Sequence, residues 1–138
     1  HLEAIDLAIA ESINYGAKKA VKLPVSAPFH CSLMQPAANT MREALDELSI
    51  LNPITPIIAN ITAEAEVSGK KICELLVGQV TGRVRWAETI KFAKENGIEK
   101  IFEIGAGKVL TGLAKRIDNS IESLSIEAPD QIENFILV

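Results

Sequence analysis

Apolar residues near the start of the chain fall at Leu2, Ile5, Ile9 and Ile13, three and four apart, which predicts an amphipathic helix. Tyr15-Gly16 ends it, because glycine is favoured just past a helix terminus. The stretch 17–23 predicts a strand, which Pro24 stops. After the loop "VSAPFH" a helical period returns from Leu33, with Met34, Ala37, Ala38, Met41, Leu45 and Leu48 on one face. Pro36 is compatible with that helix because it falls in the first turn. Asn52-Pro53 breaks the pattern, and "ITPIIANI" (54–61) predicts a buried strand.

Ser68 then caps a helix carrying Ile72, Leu75 and Leu76, and "QVTGRV" connects it to a helix from about Trp86 that Asn96-Gly97 closes. "KIFEI" (100–104) predicts a strand, and Gly105-Ala106-Gly107 turns it into a helix carrying Val109, Leu110, Leu113 and Ile117. "IESLSIEA" (121–128) predicts a final strand, and Pro129 opens a last helix with Ile132, Phe135 and Ile136 on one face. Helices alternating with strands in this way predict an α/β fold with a mostly parallel sheet.

Composition sharpens this picture in a few places. A chain of 138 residues, 48% hydrophobic and 23% charged, is that of one globular domain. Aromatics are only 4%, so Ile, Leu, Val and Ala must fill the core, with Trp86 among them. No apolar run approaches the roughly 20 residues that span a bilayer. A net charge of −4, with dispersed lysines and arginines, argues against general binding to nucleic acid or anionic membranes. Cys31 and Cys73 lack a CxxC partner or a histidine at metal-ligand spacing, so no metal site is expected. Reduced thiols in a cytoplasm are the simplest reading of them, and a disulfide between them stays open. The first residue is not methionine and a helix is already under way at Leu2, which points to a piece of a longer chain.

Two stretches carry candidate chemistry. "EIGAGKVLTG" runs strand, glycine turn, helix, as nucleotide-binding loops do. A phosphate-cradling P-loop needs four residues between its first glycine and Gly-Lys; here only Ala106 intervenes and Val109 follows the lysine. The dinucleotide fingerprint needs a third glycine three residues after the second, and the next is Gly112. A tight structural turn is the better reading, with a phosphate at the helix N-terminus left open. The second stretch is "APFHCSLM". Apart from His1, His30 is the only histidine, and it lies where a predicted strand gives way to a helix. Imidazole exchanges protons near neutrality, and open α/β sheets place their sites at such loops. Yet the chain has no GxSxG elbow, so His30 is a base without a nucleophile, and a structural role stays open beside a catalytic one.

The segments "VSAPFHCSLMQPAANTM", "PIIANI", "LLVGQVTGRVRW" and "EIGAGKVLTGLAKRI" occur in this order. Together they resemble the C-terminal half of the malonyl-CoA:acyl carrier protein transacylases of bacterial fatty-acid synthesis. The resemblance implies part of an α/β-hydrolase-like domain, with residues 1–23 as the last helix and strand of an inserted ferredoxin-like subdomain. Residues 24–138 would be the returning half of the large domain.

It also implies malonyl transfer from malonyl-CoA, through a malonyl-serine ester, to the phosphopantetheine thiol of acyl carrier protein. His30 would be the acid/base. The backbone carbonyl of Gln79 would orient it, where serine proteases use a carboxylate. Phe29 would shape the acyl pocket, the other reading for it being core packing. The nucleophile, the arginine for the malonyl carboxylate and an oxyanion-hole glutamine would lie in an N-terminal half, which makes that half a partner. CoA and phosphopantetheine enter as substrates, no cofactor is implied, and the chain alone would be inactive. Arg83 departs from the pattern, since many members carry proline there. The rival readings are an acyltransferase domain of a modular polyketide or fatty acid synthase, and a non-catalytic fragment of the same fold.

Overall fold

The computed structural model describes residues 1–132. Helix α1 spans Leu2–Asn14, and a 3-10 turn at Ser32–Met34 leads into α2, Gln35–Asp46. Two-residue strands β1 (Ile57–Ile58) and β2 (Ala65–Glu66) precede α3 (Gly69–Thr81) and α4 (Trp86–Glu95). Strand β3 (Lys100–Ile104), helix α5 (Val109–Ile117) and strand β4 (Glu122–Ile126) complete the order. The predicted α/β class holds: mixed helices accompany a small parallel sheet.

The C-terminal part follows its sequence pattern closely. β3 and β4 pair in parallel, Lys100 opposite Glu122 through Ile104 opposite Ile126, with α5 as the crossover. Asn96 and Gly97 close α4, Gly97 taking a φ of +80° that favours glycine. Ile90, Ala114 and Ile121 form the buried centre, with Trp86, Ile101 and Ile117 packed against it. Trp86, predicted to be core, is partly buried and packs against that centre.

Three expectations are corrected. Residues 17–23 form no strand, because no neighbouring segment supplies the ladder hydrogen bonds that an extended chain needs. Val21 and Leu23 stay exposed there, and the Lys22 ammonium pairs with Asp6 of α1 at 2.8 Å. The buried strand predicted at 54–61 shrinks to Ile57–Ile58, with Ile54 and Ile57 exposed. It folds back at once, since Ala63 takes a φ of +59° and its N–H reaches the Ala59 carbonyl at 2.7 Å, so β1 pairs antiparallel with β2. Among the described residues, the mostly parallel sheet is thus two separate pairs, of which β3–β4 alone is parallel. Of the predicted last helix, Phe135 and Ile136 lie outside the described residues.

Helix α3 carries Gln79 in its last turn and is anchored firmly at its start. Ser68 caps it as predicted, its hydroxyl accepting from the Lys71 N–H at 3.3 Å. Asn52 Oδ1 accepts from the Gly69 N–H at 2.9 Å. Gly69 is buried so tightly that a Cβ there would lie 2.5 Å from the Ile50 carbonyl oxygen. The helix runs through Gln79 to Thr81, further than the predicted connection "QVTGRV" allowed.

Candidate active site

His30 sits in the turn between the irregular segment and α2, with a φ of +62°, a left-handed backbone uncommon outside glycine. The turn is held locally: the Phe29 N–H reaches the Ala27 carbonyl at 2.9 Å, and the Cys31 thiol donates to the Pro28 carbonyl at 3.1 Å. Cys31 and Cys73 are both free thiols.

The final turn of an α-helix leaves its last carbonyls without intrahelical partners. At the end of α3, His30 takes up this role. Its backbone N–H donates to Val80 O at 3.3 Å. Its ring Nδ1 lies 2.9 Å from Gln79 O and 3.0 Å from Gly82 O. A carbonyl oxygen only accepts, so both contacts require the proton on Nδ1. In the neutral ring that leaves Nε2 as the unprotonated, basic nitrogen. His30 itself is exposed.

The three residues singled out from sequence therefore meet at one place. Gln79 contributes its backbone carbonyl to His30 and is among the residues that line a small apolar cleft with Ile58, Ile72 and Leu75. The Phe29 ring lies 6.5 Å from the His30 ring, tilted by 50°. It is 56% exposed within the chain. The carbonyls of Val80 and Gly82 leave no mark in the sequence. A backbone acceptor has no side-chain signature, and the only signal was that α3 had to end nearby.

Arg85 fastens the segment after α3. Its N–H donates to Asn60 O and its guanidinium to Thr62 O, both at 2.8 Å, while Glu88 receives it at 3.2 Å. Arg83, the departure from the family pattern, also pairs with Glu88, at 3.1 Å.

The glycine turn before α5 is filled by the chain's own carboxylates. Glu103 accepts from the N–H groups of Leu110 at 3.1 Å and Thr111 at 2.7 Å. The Thr111 N–H leads the contacts that hold the Glu103 carboxyl below its ordinary value. Glu127 accepts from the Gly107 N–H at 3.2 Å and pairs with Lys108 at 2.8 Å. The phosphate left open at this helix N-terminus would have to displace a carboxylate. Among the described residues, no group of three or more His, Cys, Asp or Glu side chains is placed to hold a metal ion. Nor, among them, is any helix long and apolar enough to cross a membrane.

No family model matches the chain. Curated proteins and solved structures do. The chain is 37% identical over 129 residues to the malonyl CoA-acyl carrier protein transacylase of Escherichia coli K12, covering 94% of the chain and 42% of that protein. The Bacillus subtilis strain 168 transacylase is 36% identical over 131 residues, 95% of this chain and 41% of that one. The chain thus spans less than half the length of these curated relatives. An acyl-carrier-protein-S-malonyltransferase from Bartonella henselae matches with a TM-score of 0.90 at 50% identity, over 98% of this chain and 43% of that one. A malonyl-transacylase in complex with a type II PKS acyl-carrier protein matches with a TM-score of 0.89 at 36% identity, over 99% of this chain and 44% of that one. In sequence and in fold, the chain belongs with the malonyl-CoA:acyl carrier protein transacylases, as their C-terminal half.

Proposed function

We propose that this chain supplies the acid/base half of a malonyl-CoA:acyl carrier protein transacylase, with His30 as the catalytic base and the Gln79 carbonyl as its orienter. The observation that carries the reading is the 2.9 Å contact between His30 Nδ1 and Gln79 O, which leaves Nε2 basic. The names of the relatives support malonyl-CoA as donor, and the relative seen in complex with its carrier protein supports an acyl carrier protein as acceptor.

In the first step, Nε2 takes the proton of a serine hydroxyl as its oxygen attacks the malonyl thioester carbonyl. The tetrahedral adduct collapses, the C–S bond breaks, and the imidazolium returns the proton to the leaving CoA sulfur. In the second step Nε2 deprotonates the phosphopantetheine thiol, whose sulfur attacks the malonyl-serine ester. The serine oxygen leaves and recovers the proton. The chain carries no GxSxG elbow, so the serine, the arginine for the malonyl carboxylate and an oxyanion donor come from the N-terminal half. Phe29, exposed beside His30, lines the acyl pocket.

The same reading assigns residues 1–23 to an inserted ferredoxin-like subdomain and residues 24–138 to an α/β-hydrolase-like domain, and puts the enzyme in the cytoplasm. It is supported by α1, which buries none of its residues within the described chain. The test is malonyl transfer by the full-length enzyme carrying His30→Asn. A parent-like rate would sink the proposal.

A further inference from the structure

Ile61, in the turn between β1 and β2, lies across the end of α3. A Cβ built on Gly82 would sit 2.6 Å from Ile61 Cδ1 and 3.1 Å from its Cγ1, and one on Gly78 would sit 3.3 Å from the same Cδ1. Gly78 and Gly82 are one helical turn apart and face the same way, so together they form a notch that receives this side chain. The turn is pinned on both sides of Ile61, because Asn60 O and Thr62 O each accept from Arg85. At Gly82 the backbone leaves the helix for an extended conformation, φ −88° and ψ 158°, while its N–H still reaches Gly78 O at 2.9 Å. That departure is what brings the Gly82 carbonyl to 3.0 Å from His30 Nδ1, beside the Gln79 carbonyl.

We infer that Gly82 is a positioning residue for His30: having no side chain, it lets the end of α3 pass close against Ile61, so that a second carbonyl holds the imidazole in the Nδ1–H form. The inference rests on the reading of His30 as the base. A methyl at Gly82 would come 2.6 Å from Ile61 Cδ1 and 3.0 Å from the Gly78 carbonyl oxygen, so unless the Ile61 side chain turns aside the end of α3 shifts away from it and the Gly82 carbonyl moves off the ring.

The experiment uses the full-length transacylase, with Gly82→Ala, Ile61→Ala and the double variant. It reads malonyl transfer kinetics and the His30 tautomer by nitrogen-15 NMR. Expected for Gly82→Ala is a kcat about tenfold lower, the rate equivalent of one hydrogen bond, with KM for malonyl-CoA unchanged. A rise in the Nε2–H tautomer accompanies it. Removing Ile61 as well gives the methyl room and restores both the tautomer and kcat, which general destabilisation would not do. The double variant also supplies the reading if Gly82→Ala alone does not fold. Parent-like tautomer and kcat in Gly82→Ala, or a folded double variant that stays impaired, would overturn the inference. Its failure has its own signature, since His30→Asn would still lower kcat about 10²- to 10⁴-fold. If instead the reading of His30 fails, His30→Asn transfers malonyl at the parent rate.

Discussion

His30 Nδ1 lies 2.9 Å from the carbonyl oxygen of Gln79, 49 residues further along the chain. A histidine in a turn is thereby joined to the end of a helix whose other end is locked by Asn52 and Gly69. The ring inherits the rigidity of α3, and no acidic side chain is needed to choose its tautomer.

The first prediction separates chemistry from backbone strain. His30 has a positive φ, which asparagine tolerates better than alanine does, so His30→Asn is the cleaner probe. In the full-length enzyme it should lower kcat about 10²- to 10⁴-fold, the usual worth of acid–base help, with little change in thermal midpoint. Steady-state transfer assays and thermal melts on the same preparation check both parts.

At Gln79 the expectation reverses. In the proposed mechanism its functional atom is a backbone carbonyl, which Gln79→Ala retains. That variant should keep malonyl transfer within about twofold of the parent, as substitutions away from a buried or bonded side chain usually do. A loss as large as that of His30→Asn would mean that the side chain, not the carbonyl, does the work.

A third prediction concerns the glycine turn. The Glu103 carboxyl titrates below its ordinary value, chiefly because the Thr111 N–H donates to it. A depressed folded value means that its contribution is fully present above the ordinary carboxylate range. The contribution fades as pH falls from that range through the lowered folded value. Glu103→Gln should therefore lower the thermal midpoint at neutral pH. The gap to the parent should narrow as both are acidified, and added phosphate should not restore the variant. Melting curves across pH would show a constant gap if the carboxylate were not the cause.

How much of this was legible in the sequence depends on the range of the forces involved. α4, β3, α5 and β4 follow local periodicity, and Gly97, Gly105 and Gly107 punctuate them with positive φ values that few other residues adopt. The stretch 17–23 has strand-like residues, but a strand exists only with a neighbour to pair with, and pairing is not a local property. The strand at Ile57–Ile58 is shorter than its apolar run predicts for the same reason. His30 was visible as a lone imidazole at an element boundary. Its link to Gln79 came only through family resemblance, because a backbone carbonyl looks alike at every position. Gly82 gave no signal at all, since what matters there is the space taken by Ile61, 21 positions earlier.

The last prediction starts from apolar surface. Leu2, Ile5, Leu7 and Ile13 of α1 are each at least 50% exposed, and so are Phe29, Ile104 and Val109. Scattered apolar residues are ordinary on a surface, but a helix whose apolar stripe buries nothing has lost the main reason for its pattern. The relatives that the chain matches are more than twice its length, and the remainder of such a protein is the natural cover. The 138-residue chain prepared alone should bind a hydrophobic dye, self-associate as its concentration rises, and transfer no malonyl. Mixing it with a separately made N-terminal half should quench the dye signal and restore transfer, because in the proposed mechanism the nucleophile and the base then share one site. Dye fluorescence, light scattering and a transfer assay on the two pieces, apart and together, decide it. A dye-silent monomer, or malonyl transfer by the short chain alone, would be incompatible with a base that waits for its serine on another part of the protein.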